Sequence, residues 1–195
     1  NTVSFNATAS TAANSGTPVT VSVGDVITLP AEGGTNVGNY ATTVACTGGH
    51  TLSGTNGQAT NTLTITSTNA AVCTYTNTRR TATLQLAKAW AAGSRTGDVV
   101  STGASGKGTN AGAASNTASF NATASTAANS GTPVTVSIGD VITLPAEGGT
   151  NVGNYATTVA CTGGHTLSGT DGQATNTLTI TSTNAAVCTY TNTRR

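Results

Sequence analysis

The side chains able to do covalent or metal chemistry are few, and their positions limit what they can do. Lys88 sits in TATLQLAKAW, Thr81 to Trp90, where alternation puts Leu84, Leu86, Lys88 and Trp90 on one face of a strand. Thr83, Gln85, Ala87 and Ala89 fall on the other. Such a strand buries its Leu/Trp face, and an isolated buried ammonium is costly there. Desolvation drives the lysine pKa down, so that a neutral, nucleophilic amine becomes accessible. The plainer alternatives are a lysine that snorkels to solvent at the strand end, or one that pairs with Glu147.

Cys46, Cys73, Cys161 and Cys188 form two pairs, each 27 residues apart. No CxxC occurs, and His50 and His165 are not spaced around the cysteines as zinc ligands. Two disulfides in an oxidising, extracellular setting are favoured over free buried thiols. The histidines, once each in CTGGHTLSG, are read as exposed loop side chains, and no metal site is expected. Asp25, Asp98, Asp140 and Asp171 stand alone in sequence, without the DxDxDG pattern of a calcium loop. Serine, histidine and aspartate all occur, but no GxSxG or other nucleophile signature does, so neither enzymatic activity nor a cofactor is expected. Asn6-Ala-Thr8 and Asn121-Ala-Thr123 are glycosylation sequons that arise readily by chance in an Asn/Thr-rich chain. Trp90 is read as a core residue near a strand end, not as a sugar platform.

The elements that must hold these residues are strands. Charged residues make up 7% of the chain and aromatics 4%; Thr, Ala, Ser, Asn and Gly dominate, and strong helix formers are scarce. The low charge argues against a charge-driven disordered tail. A net charge of +1 without a basic cluster argues against a nucleic-acid partner. No apolar run is long enough to span a bilayer as a helix, and no signal peptide is present. The chain starts inside a pattern, as an internal window of a longer protein would.

That pattern is a repeat. Residues 1–80 match 116–195 at a constant offset of 115, with differences at Val3/Ala118, Val23/Ile138 and Asn56/Asp171. The period is far longer than that of a solenoid and suits one β-sandwich. Arg79 and Arg80 mark a polar junction, which predicts a complete repeat over 81–195. Residues 1–80 are then a partial repeat lacking its first strands. Segment 81–115 can complete one body but not both. Either these residues are an arbitrary cut of a longer polymer, or a neighbouring chain supplies the missing strand by strand complementation.

Along the complete unit, AAGSRTG after Trp90 reads as a turn and Val99-Val100 as the centre of a short strand. The Gly/Ser/Ala-rich stretch 103–115 reads as a flexible loop. Phe120 is the expected core anchor of the next segment. PVTVSIGDVITLP (133–145) reads as strand, Gly-Asp turn, strand. YATTVAC (155–161) places Tyr155, Val159 and Cys161 on one face. TLSGTDGQATNTLTIT reads as a hairpin with a type I′ signal at Asp171-Gly172. AVCTYTN (186–192) closes the unit with Cys188, Tyr190 and Asn192 on one face, so each disulfide ties the tyrosine-led strand to the last one. Seven to nine short strands without helical period predict an all-β fold of tandem Ig-like antiparallel β-sandwich repeats.

TLQLAKAW at the start, ITLPAEGG in the middle and CTYTNTR at the end resemble the Cna B-type or SpaA-type repeats. These are prealbumin-like, Ig-related modules in the stalks of bacterial pilins and large surface adhesins. The resemblance covers most of 81–195 through short motifs. It implies a spontaneous Lys–Asn isopeptide bond promoted by a buried acid, carried by position onto Lys88, Asn192 and Glu147. The first copy keeps Glu32 and Asn77, and the position that would match Lys88 falls outside this chain. The paired cysteines depart from the commonest pattern of that family, in which no disulfide is needed.

The expected function is structural: a repeat module forming the stalk or filament shaft of a bacterial extracellular adhesin or fibre at the cell surface. Its partners would be neighbouring repeats or chains of its own kind. The alternative is a ligand-binding module for carbohydrate or ice, using alternate threonines such as Thr177, Thr179 and Thr181. Threonine is, however, simply a good residue for an exposed strand face.

Overall fold

The computed structural model describes residues 16–56, 61–91, 93–106, 116–123, 129–170 and 176–195. It is all-β apart from two short 3-10 turns, Val37–Asn39 and Val152–Asn154. The chain divides into two compact units, 1–78 and 79–195.

The described part of the first unit holds β1 (Val26–Leu29), β2 (Tyr40–Cys46), β3 (Thr51–Ser53), β4 (Asn61–Thr64) and β5 (Cys73–Arg79), whose last residue already belongs to the second unit. They form a three-stranded sheet, β1-β4-β3, and a separate pair, β2-β5. Val44, Leu63 and Ile65 are buried, whereas Val19, Val23, Val26 and Val72 are exposed.

The second unit begins with β6 (Thr81–Trp90), β7 (Val99–Gly106), β8 (Asn116–Thr123) and β9 (Asn129–Ser130). It continues through β10 (Val134–Ser137), β11 (Val141–Leu144), β12 (Tyr155–Cys161), β13 (Thr166–Ser168), β14 (Asn176–Thr179) and β15 (Ala186–Arg194). One sheet runs β10-β6-β15-β12, with β9 also on β6; the other runs β13-β14-β11-β7-β8. Period-two alternation decides which side chains face inward. On β6, Ala82, Leu84, Leu86 and Lys88 are buried, and on β15, Ala186, Cys188, Tyr190 and Asn192. These side chains, with Val136 and Val159, supply one half of the interior. Ile142, Leu144, Leu178 and Ile180 from the other sheet supply the rest, and the apolar ones form a single cluster. This is a β-sandwich.

Among the described pairings of the second unit, one is not antiparallel. β6 lies parallel to β15, with Ala186 opposite Leu84, Tyr190 opposite Lys88 and Asn192 opposite Trp90. Parallel neighbours need a long crossover, and here the rest of the unit is that crossover. The turn between β10 and β11 follows the expected Gly-Asp chemistry. Gly139 takes a φ of 90°, and the Ser137 amide donates to Asp140 Oδ2 at 2.8 Å.

Other expectations change. The Gly/Ser-rich stretch expected as loop from 103 is strand through Gly106, because β7 pairs along its whole length with β8. The described residues of the second unit hold ten strands against the expected seven to nine, β9 being only two residues long. The hairpin of β13 and β14 is present, with Leu167 opposite Leu178, while Asp171 and Gly172 of the expected turn lie outside the described residues. So do Asn6, Thr8 and the side chain of Phe120.

Candidate functional site

Three buried polar side chains, Lys88, Glu147 and Asn192, meet where β6, β12 and β15 lie side by side. Lys88 is 1% exposed, and its Nζ makes an ion pair with Glu147 Oε1, whose side chain is also 1% exposed. Lys88 pairs with Glu147 rather than reaching solvent, since its face of β6 is turned into the space between the two sheets. The indole of Trp90 lies on the same face, with the ammonium 4.7 Å from its ring centroid. Burial lowers the Lys88 pKa from the ordinary lysine value, and the hydrogen bond and charge of Glu147 oppose that shift in part.

Glu147 follows β11 in the loop that starts at Pro145. The buried Tyr190 hydroxyl donates to Pro145 O at 3.2 Å and holds that loop against β15. The second carboxylate oxygen, Oε2, is 2.9 Å from Thr157 Oγ1, and the same hydroxyl is 2.9 Å from Asn192 Oδ1. Asn192 is fully buried, and its Nδ2 has no hydrogen-bond partner among the described residues. Because Tyr190 is the cross-strand partner of Lys88, Asn192 is its diagonal neighbour on the same face, within reach of a long side chain.

The Thr157 hydroxyl carries one proton and lies between two oxygens, Glu147 Oε2 and Asn192 Oδ1, so it links the acid to the asparagine side chain.

The sequence-derived candidates Lys88, Glu147 and Asn192 therefore come together. Thr157 was missed, although its place between Tyr155 and Val159 in YATTVAC puts it on their inward face. In the first unit Glu32, Thr42 and Asn77 repeat the arrangement, with Thr42 Oγ1 3.1 Å from Glu32 Oε2 and 2.6 Å from Asn77 Oδ1.

The cysteines pair as Cys46–Cys73 and Cys161–Cys188, joining β2 to β5 and β12 to β15. Cys161 and Cys188 are direct cross-strand partners. Two disulfides fit an oxidising environment.

Two further groups were misjudged from sequence. His165 is half-buried rather than a free loop side chain: Nε2 donates to Asn184 O at 3.0 Å and Nδ1 accepts from the Thr181 amide at 3.2 Å. His50 does the same with Asn69 and Thr66, so each histidine pins two turns together. Asp98 is not isolated either. It accepts from the Tyr155 hydroxyl and from Asn151 Nδ2, and Arg194 lies 3.5 Å away. These partners, the Tyr155 hydrogen bond foremost, hold the Asp98 carboxyl below the usual aspartate range. Tyr155 also packs edge-on against Trp90, with centroids 5.1 Å apart, so this network closes one end of the Lys88 site. No helix among the described residues is long and apolar enough to cross a membrane.

Comparison with protein-family models, curated proteins and solved structures found no match to this chain.

Proposed function

We propose that this chain is a load-bearing structural module of a bacterial extracellular stalk or filament, built of tandem Ig-like sandwiches of the Cna B or SpaA kind. The observation that carries the reading is the buried group Lys88, Glu147, Thr157 and Asn192, which joins the first strand of the second unit to its last. In the proposed reaction the neutral Lys88 amine attacks Asn192 Cγ. An N–C bond forms, the Cγ–Nδ2 bond breaks, and the amine proton passes by way of Glu147 to the departing nitrogen, which leaves as ammonia. Nδ2, without a partner among the described residues, gives up no hydrogen bond on leaving.

The strand pairing suits this role. β6 and β15 are parallel, so Thr81 and Arg194 lie at opposite ends of their ladder, and tension along the chain loads the ladder in shear. A Lys88–Asn192 bond would divert that tension away from the intervening residues. Near-identical repeats and two disulfides fit a spacer that must resist force and proteolysis. Neighbouring copies of the repeat are the natural partners, and the disulfides suit an extracellular location.

The test is intact-mass measurement on the purified chain after full reduction. The expected mass is one ammonia below the sequence mass, with a branched Lys88–Asn192 peptide on digestion and no deficit in Lys88→Arg or Asn192→Ala. A full sequence mass for the unaltered protein removes the crosslink from the reading.

One observation favours a second reading, a binding module for carbohydrate or ice. The register aligns Ser168, Thr177 and Thr143 in one row across three strands. Thermal hysteresis or glycan-array binding by the folded chain would support it, and silence in both assays would dismiss it.

A further inference from the structure

The end of the Lys88 site beyond Trp90 is covered by a short irregular segment, residues 93–98, between β6 and β7. Apolar packing does not hold it down. Among its residues only Asp98 is buried, and Arg95, Thr96 and Gly97 are exposed. Polar contacts hold it instead. The Arg95 amide donates to the Tyr155 hydroxyl at 3.1 Å, and that hydroxyl donates in turn to Asp98 Oδ2. Asp98 Oδ1 accepts from Asn151 Nδ2 at 2.9 Å, and Arg194 lies 3.5 Å from Oδ2. The Asp98 amide donates to Arg95 O at 3.3 Å and closes the segment on itself. One carboxylate thus gathers the lead residue of β12, the turn before it and the end of β15.

Beneath these contacts lies the Trp90 indole. Tyr155 packs edge-on against it, and its own face is turned to the Lys88 ammonium. The indole as a whole is half-buried, yet Nε1 is out of reach of solvent and has no hydrogen-bond partner among the described residues. The same holds for Nδ2 of Asn192, the residue directly opposite Trp90 on β15. A buried donor without a partner is costly, and water admitted beside it relieves that cost. A site with two such donors side by side needs a closure that is itself well anchored.

We infer that residues 93–98 are a strap, latched by Asp98 through the Tyr155 hydroxyl, that keeps water out of the Lys88 site and thereby sets the rate of the Lys88–Asn192 reaction. The strap and its latch stand on the geometry; the effect on rate rests on the crosslinking proposed above. Burial is the main cause that lowers the Lys88 pKa, so water admitted at Trp90 returns the amine towards the ammonium, which is not a nucleophile. Asp98 and Tyr155 are positioning residues in this scheme and act on Lys88 through the indole.

The chain has one tryptophan, so its fluorescence reports on the seal directly. The test compares the full chain with two variants. Tyr155→Phe keeps the ring against Trp90 and removes the hydroxyl. Asn151→Gly removes the amide that holds Asp98 and suits the left-handed φ of 65° at that position. In both, under conditions where the chain stays folded, acrylamide quenching of Trp90 should rise and the Arg95 amide should exchange faster with solvent. Intact-mass time courses after refolding should show ammonia loss slowed about tenfold or more, as the amine returns to its charged form. Quenching is read again in an Asn192→Ala background, where no crosslink can form, so that the seal is measured apart from the chemistry. Quenching as low as in the unaltered chain in both variants overturns the inference, and so does an unchanged rate of ammonia loss beside raised quenching. If the unaltered chain loses no ammonia at all, the crosslink is refuted and the control of its rate falls with it, and the strap stands or falls on the quenching alone.

Discussion

Removing the Cys161–Cys188 disulfide should lower the stability of the second unit by an amount its loop length sets. The bond closes a loop of 27 residues, worth roughly 3.5 kcal/mol on the chain-entropy account. Cys188 is fully buried in the core and its partner lies directly opposite on an adjacent strand, so the native ladder stays in place when the bond is cut. The effect then falls on the unfolded chain. At about 2.1 cal/mol/K of unfolding entropy per residue over residues 79–195, the loss corresponds to a fall in Tm of about 14 °C. A Lys88–Asn192 link would not mask this, because the disulfide loop is nested inside the larger one and still restrains its own segment. The assay is calorimetry on the oxidised chain and on Cys161→Ala/Cys188→Ala, both at neutral pH. A fall of about 3 °C or less, with the heat of unfolding unchanged, would refute the reasoning. It would mean that the β12–β15 ladder already keeps these strands together in the unfolded ensemble.

Further outcomes follow from the same structure. Thr157→Val keeps shape but removes the hydroxyl between Glu147 and Asn192; the ammonia deficit should form much more slowly, which a time course of intact mass after refolding reads directly. Asp98 has a folded-state pKa below its ordinary value, so it stabilises the fold above about pH 4, and that contribution fades as pH falls through the folded-state value. Asp98→Asn should therefore be less stable at neutral pH and show a flatter stability profile below about pH 4 in urea titrations. His165→Ala breaks two hydrogen bonds between turns and should cost about 1–2 kcal/mol by denaturant unfolding, with no change in crosslinking. Gly163→Ala should cost about 1–3 kcal/mol in the same assay, since its φ is +90° and an added Cβ would lie 2.5 Å from Ala185 O.

Much was legible in the sequence because period-two alternation is a local property. It named the buried face of β6, and with it Lys88, Leu84 and Leu86, and it put Cys188, Tyr190 and Asn192 inside together. The Gly-Asp turn and the cysteine spacing were equally local. What lay beyond it were relations between distant segments: the parallel pairing of β6 with β15, the hydroxyl of Thr157 between two acceptors, and the tyrosine and arginine around Asp98. Alternation says that a side chain points inward but not what it meets there.

The repeat separates the two kinds of information within one chain. Composition, alternation and turn residues by themselves determined a β protein with one body written twice and its cysteines in pairs. They could not determine whether a given stretch becomes a strand. Val134–Ser137 is β10, paired to β6, while Val19–Ser22 has the same four residues and is not a strand. A β-strand draws its hydrogen bonds and its burial from a neighbour that may be far away in sequence, so propensity only permits it. In the second unit β6 makes that decision: it pairs with both β10 and β15, and the asparagine after the last tyrosine is sealed in the core beside a lysine.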